Sequence, residues 1–398
     1  MQTPRRTDRF ERLVSGKTDA SRVHRLLLLK CIATAVALAF FNGPLAFAQE
    51  SSTDTRPGVA PDIRQDDTSL KLQRGDLVVV PIPISNPTLD SGLVVGAAYF
   101  YPQTAEQKKL QPASVTAAAG MYTSNDSKAF ALVQQNYWNE DRWRFTGAIG
   151  MADLRLSLGT PEESDAQSSL AWRINGAFLF AKVARNIKGN WYGGVQTRVI
   201  DAEQSIEAFT SVENFDSEPD VRSAGLGLIL EYDSRDMPIN SYSGSHLQFD
   251  AIFNDETLGS NKTYQSYSAA YRSYHRLTDS SILAWEMQGC IRSGTAPLWD
   301  ACTIKLRGFS ATDYLGQVSA SGQLEARWQM NKRWGLVGFA GAGYAGDTYT
   351  GLRDREVIPS YGLGVRFMVL AAKRINIRLD YARSTDSDAI HLSVGEAF

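Results

Sequence analysis

The sequence predicts an all-β fold that crosses a membrane as a transmembrane antiparallel β-barrel of about 16 strands. Three observations predict it: a closing segment that alternates to a terminal aromatic, an export signal at the amino end, and a steady strand-and-turn rhythm in between. In residues 390–398, Ile390, Leu392, Val394 and Phe398 share one face, interrupted only by Glu396. His391, Ser393, Gly395 and Ala397 share the other. Period-two alternation running to a final Phe suits the last strand of an outer-membrane barrel, with the ring at the lipid interface. Gly395 and Phe398 are therefore read as the closing-strand signal.

The amino end supplies the compartment. Eight Lys and Arg residues between Arg5 and Lys30 precede an apolar stretch at 32–41, and Ala46-Phe47-Ala48 follows. That order of basic region, apolar core and small residues is a secretory signal, expected to be cleaved after Ala48. The core is too short for a spanning helix, which needs about 20 apolar residues. Lys30 before Cys31 does not fit a lipoprotein signal. Loss of residues 1–48 removes eight basic and three acidic side chains, so the net charge moves from −2 to −7. An acidic exported chain lacks the electrostatic footprint of a nucleic-acid binder. Two cysteines then remain, Cys290 and Cys302. In an oxidising compartment a disulfide is expected over two free thiols.

Residues 49–75 are polar, carry Pro57 and Pro61, and read as a disordered periplasmic lead-in. The barrel is expected over residues 76–398. Its first strand, 76–84, is apolar and contains Pro81 and Pro83; the second, 92–101, follows a turn rich in Ser, Asn, Pro and Asp. Strands at 113–123, 128–138, 143–156, 169–183, 191–200 and 222–232 come next, separated by turn chemistry. The set is completed by 243–253, 263–275, 280–291, 318–330, 334–344, 358–370, 375–382 and 389–398. Sixteen is even, as a single-chain bacterial barrel requires. With the last strand ending in the periplasm, the short connectors at 139–141, 277–279, 331–333 and 371–373 fall inside. The long ones at 159–168, 201–221, 254–262, 292–317 and 345–357 fall outside, the usual barrel asymmetry. The connectors at 102–112 and 233–242 are longer than that rule predicts. Aromatic clusters at strand ends (Tyr99 to Tyr101, Tyr137 with Trp138 and Trp143, Trp191 with Tyr192) suit interfacial girdles.

Four segments carry a family pattern. They are Leu306-Arg307-Gly308-Phe309 in the longest outer loop, Tyr232-Asp233-Ser234-Arg235-Asp236 before Pro238 and Gly244, Leu324-Glu325-Ala326-Arg327, and Leu379-Asp380-Tyr381-Ala382 with the ending Gly395-Glu396-Ala397-Phe398. Together they resemble the BamA/TamA family of outer-membrane proteins, the bacterial surface antigen type. The resemblance implies that the sixth outer loop folds back into the lumen, with Arg307, Gly308 and Phe309 anchored there and Glu325 as the partner of Arg307. A guanidinium in a partly dehydrated lumen needs a bidentate carboxylate, which Lys could not match.

Two departures from the family matter. The family often places an Asp between an aromatic and a Gly on the strand after the Glu; here Gly341 stands at that position. Anchoring therefore rests on Glu325 alone or on an unplaced acid. Assembly factors of the family also carry periplasmic POTRA modules before the barrel. The 27 residues between Ala48 and Asp76 are too few for one, so the chain resembles a short member without them.

The resemblance implies a protein insertion or translocation barrel working through a weak seam between first and last strands. Pro81 and Pro83 remove ladder donors from the first strand and Gly395 weakens the last. The alternative is a passive pore gated by the Arg307 loop. An enzyme is not expected, because His391 and Ser393 share the lumen face with no third acid evident. No cofactor or metal set is read, and the Asp233/Arg235/Asp236 group is taken as a charged turn whose Asp side chains bind local backbone. The partners expected are outer-membrane lipid, client barrel proteins and separate periplasmic proteins, with no nucleic acid.

Overall fold

A computed structural model describes residues 75–86, 90–158, 170–207, 220–238, 240–310, 312, 314–346, 357–371, 374–385 and 388–398. The segment expected as a signal peptide, nearly all of the expected lead-in and the room for a periplasmic module lie outside these residues.

Sixteen strands form one sheet in sequence order: β1 Asp76–Asn86, β2 Asp90–Phe100, β3 Val115–Thr123, β4 Lys128–Trp138, β5 Trp143–Leu158, β6 Leu170–Lys188, β7 Trp191–Glu207 and β8 Asp220–Asp233. The second half is β9 Gly244–Asn254, β10 Tyr264–Thr278, β11 Ser281–Gly294, β12 Val318–Gln329, β13 Trp334–Gly346, β14 Ile358–Leu370, β15 Ile375–Ser384 and β16 Asp388–Val394. Every neighbouring pair is antiparallel. The sheet curls until β1 and β16 lie beside each other, yet among the described residues no ladder joins them. The barrel is therefore nearly closed.

Polarity runs inside out. Leu77, Val79, Leu93, Ile149, Met151, Val195, Leu228, Leu324, Leu363 and Leu379 point outward and exposed, whereas Arg307, Glu325, Arg327, Arg366 and Asp380 are buried. A soluble protein could not leave that belt bare; in lipid it is the solvated face, and closure satisfies the backbone. Trp138, Trp143, Trp191, Trp328 and Trp334 sit outward at the end of the barrel where β1 starts and the tail after β16 lies. Trp191 stacks near Tyr232 (5.1 Å) and Trp334 near Phe367 (4.8 Å). They form the expected girdle around this terminal mouth.

The strands β5, β6 and β7 run longer than the sequence predicts, to Leu158, Lys188 and Glu207. The last strand is shorter. It ends at Val394 because Gly395 takes a left-handed φ of 93°, a conformation open to glycine that breaks the extended run. The Phe398 ring then lies 6.5 Å from the buried Tyr274 and 5.7 Å from the Arg327 guanidinium. The expectation of a lipid-facing terminal ring is corrected: residues 395–398 turn into the lumen, drawn by polar partners described below.

The long 234–243 connector crosses the terminal mouth. Asp236 Oδ1 accepts from the N–H groups of Tyr242 (2.9 Å) and Ser243 (3.2 Å), and Asp233 pairs with Arg235 (2.9 Å). Arg374, in the β14–β15 turn, pairs with Asp236 at 2.7 Å and caps the Tyr242 ring at 3.9 Å. A four-residue helix, α1 (Gln107–Leu110), occupies the other long connector at this mouth.

Candidate functional site: the loop anchor and the tail

The loop between β11 and β12 enters the lumen from the mouth opposite the tail. Its arms pair as a small hairpin, Cys302 opposite Gly316 and Thr303 opposite Leu315, which sends the tip with Ile304, Leu306, Arg307 and Phe309 inward. A disulfide joins Cys302 to Cys290 on β11, with Cα atoms 5.6 Å apart. Asp300 adds a clamp. It pairs with Arg198 of β7 at 2.5 Å and Arg292 of β11 at 3.0 Å, and accepts from Ser266 Oγ at 2.9 Å. Burial would raise its carboxyl, but the two guanidiniums hold it well below the usual carboxylate range. Ile304, Leu306 and Phe309 bury together against Tyr314, Ala345 and Ile358.

At the tip, Arg307 is only 6 % exposed. Its Nη1 lies 2.6 Å from Glu325 Oε2 and 3.1 Å from Asp380 Oδ2, and its Nη2 donates to Gln323 Oε1 at 3.2 Å. The guanidinium stacks 3.4 Å from the Phe339 ring centroid, and Ser360 Oγ donates to the Arg307 carbonyl. Gly308, at φ 96°, donates its N–H to His391 Nε2 at 3.2 Å. The loop tip thus grips β12, β13, β14, β15 and β16, the five strands that lead to the seam.

Register explains the grip. Glu325 lies opposite Phe339, and Asp380 opposite Gly364 on one side and His391 on the other, so alternation aims all of them inward at one depth. A Cβ at Gly364 would overlap the Asp380 carboxylate and come 2.8 Å from Arg366 Nη1. Glycine there leaves room for the acid.

Asp380 is the acid the sequence left unplaced. Its segment belongs to the family pattern, but the sequence offers no sign that β15 and β12 face one cation across the lumen. Three other participants went unread: Arg366, Arg327 and Glu396. Arg366 pairs with Asp380, and its Nε donates to Glu396 Oε2 at 2.7 Å. Asn376 Nδ2 donates to Glu396 Oε1 at 2.6 Å. Arg327 Nε donates to Glu325 Oε1 at 2.6 Å and its Nη2 to the Phe398 carbonyl at 2.9 Å. These bonds pull the tail inward after Gly395.

A second ionic group lines the facing wall near the terminal mouth. Arg144 pairs with Asp141 (2.6 Å) and Glu231 (3.2 Å), and Lys182 and His246 approach Glu231 at 3.9 and 3.4 Å. Glu231, Asp233 and His246 are close enough to suggest a metal site. Arg144, Lys182 and Arg235 already neutralise those carboxylates, so the donor set suits an ion-pair cluster and not a cation. His391 and Ser393 do not meet in a catalytic pair; Ser393 Oγ accepts from Arg378 Nε at 2.5 Å.

Pro81 and Pro83 lie on β1, opposite Val95 and Leu93 of β2, with both rings outward. Two positions apart, they lack N–H groups that would point the same way, a pattern tolerated on an edge strand.

No curated protein matches the sequence. Among solved structures, BamA from Haemophilus ducreyi lacking POTRA domains 1–3 superposes with a TM-score of 0.55 at 12% identity, covering 81% of this chain and 69% of that one. CdiB from Acinetobacter baumannii gives 0.52 at 11% identity, covering 79% and 57%, and CdiB from Escherichia coli gives 0.51 at 12%, covering 82% and 63%. This chain therefore spans less than two thirds of either CdiB, and these likenesses concern the fold. The Omp85 superfamily domain matches residues 111–398. The chain belongs to the Omp85 superfamily and is a bacterial outer-membrane β-barrel.

Proposed function

We propose that this barrel inserts or translocates polypeptide at the outer membrane, a client strand pairing with the edge offered between β1 and β16. The observation that carries this reading is the seam: the two strands are neighbours, yet among the described residues no ladder closes them. Unpaired backbone groups at membrane depth cost several kcal/mol each, so such an edge is costly unless a partner strand satisfies it. Strand addition is the recognition mode that does so. The two strands are also unequal, eleven residues in β1 against seven in β16, and β1 carries Pro81 and Pro83. The loop that holds β12 to β16 through Arg307 serves in this reading to set the shape of the seam. Client barrel proteins and separate periplasmic proteins are the partners that fit it.

The test is a lock. A cysteine in β1 and one facing it in β16, oxidised in the folded barrel, should abolish delivery of client barrels to the membrane, with recovery on reduction. Full activity with the seam locked would refute strand addition.

A further inference from the structure

We infer that Arg366 and Arg327 are positioning residues that couple the docked Arg307 loop to the closing strand, by holding the tail 395–398 inside the lumen. This rests on the reading of the β1–β16 junction as the working site, and it names how that site is set.

Glu325 and Asp380 are both fully buried, and each divides its two oxygens. Glu325 faces Arg307 with Oε2 as an ion pair (2.6 Å) and accepts at Oε1 from Arg327 Nε (2.6 Å). Asp380 accepts at Oδ2 from Arg307 Nη1 (3.1 Å) and Arg366 Nη2 (3.4 Å), and at Oδ1 from Arg366 Nη1. With Arg307 in place, neither lower guanidinium has to satisfy a carboxylate alone. Each keeps a donor for the tail, Arg366 Nε for Glu396 (2.7 Å) and Arg327 Nη2 for the Phe398 carbonyl (2.9 Å). Arg327 Nη1 also reaches the Ser241 carbonyl, at 3.4 Å, in the connector that crosses the terminal mouth.

Withdrawal of Arg307 removes the cation that faces Glu325 Oε2 and one of the two donors to Asp380 Oδ2, and a buried charge without its partner is strongly unfavourable. Arg366 Nη2 already donates to Asp380 Oδ2 at 3.4 Å and lies 3.9 Å from Glu325 Oε2, so it needs only a small rotation to serve Glu325 as well. That rotation takes its Nε from Glu396. The tail is then free to leave the lumen. Loop docked means tail held and closing strand cut short at Val394; loop withdrawn means tail released beside the seam.

The experiment reads the tail directly. Ala397→Cys lines the lumen cavity, the cysteines at 290 and 302 are bridged, and Cys31→Ser removes the remaining thiol. Modification of this folded protein by a water-soluble maleimide is timed in detergent without client, folding being checked by heat-modifiable gel mobility. Arg366→Met, Arg327→Met and Arg307→Lys should each raise the rate roughly tenfold, the change expected for loss of one charge-assisted hydrogen bond. Arg307→Lys combined with Arg366→Met should add little to either alone. Arg144→Met, in the separate ionic group, should leave the rate unchanged. A wild-type rate in Arg307→Lys, full additivity, or equal acceleration by Arg144→Met would each overturn the coupling. A coupled tail in a protein whose locked seam stays active would instead reject strand addition and leave the coupling standing.

Discussion

Arg307 is a loop residue that behaves as a core residue. It is buried, stacked on Phe339 and divided between carboxylates on β12 and β15. Breaking such a pair from one side leaves an uncompensated charge and costs about 3–5 kcal/mol. Arg307→Ala and Glu325→Ala should therefore lower the urea midpoint of the folded barrel by similar amounts, and the pair of changes together should cost less than their sum. Additive losses would mean the two residues do not act as one unit. Lys305, two residues away, makes the opposite prediction. Burial, with Arg292 nearby, pushes its ammonium down to about 8 from 10.5. A base with a lowered folded value resists the proton, so the folded state bears a penalty below about pH 8 that fades as pH rises toward 10.5. Lys305→Met should raise the melting temperature at pH 7, and the advantage should disappear by pH 10.5. A gap that is constant with pH would exclude this cause. The sequence made the Arg307–Glu325 pair readable through the family pattern. Asp380, Arg366 and Asp300 were not readable, because each works through partners that strand register and loop docking bring together, and nothing local in the chain marks them.

At the scale of elements, the loop is held at two depths. The Cys290–Cys302 disulfide and the Asp300 clamp fix its outer arm to β11 and β7, and the Arg307 network fixes its tip. Duplicate clamping predicts redundancy. Cys302→Ser alone and Asp300→Asn alone should leave the loop resistant to trypsin, whereas the double variant should be cut after Lys305 or Arg307 while the rest of the barrel stays intact. Cleavage in either single variant would show that one clamp carries the arm. The strands themselves were legible because period-two alternation and turn residues are local signals. Where reading and structure part, the reason is also local. β5, β6 and β7 run past the apolar alternation into polar residues such as Arg185, Asp201 and Glu203, which hydrogen-bond as strand without a lipid-facing pattern. β16 stops early because one left-handed glycine outweighs four further residues of alternation.

At the scale of the whole molecule, both mouths receive chain. The Arg307 loop enters from one side, and the 234–243 connector and the tail close in from the other, leaving a cavity of about 370 Å³ beside the loop, lined by Arg272, Glu286, Lys305, Arg378 and Glu396. A passive pore would have to pass this ionic filling, whereas strand addition at the seam needs no passage through it. The two readings therefore part in one pair of measurements. In a planar bilayer the wild-type barrel should conduct weakly, and Arg307→Ala should raise the conductance by loosening the loop tip. The oxidised β1–β16 lock should leave that conductance unaltered, because it closes the wall and not the lumen. Client delivery should respond in the reverse order, lost in the locked seam whatever the conductance. If delivery instead follows conductance through both variants, the lumen is the route and the pore reading replaces the seam.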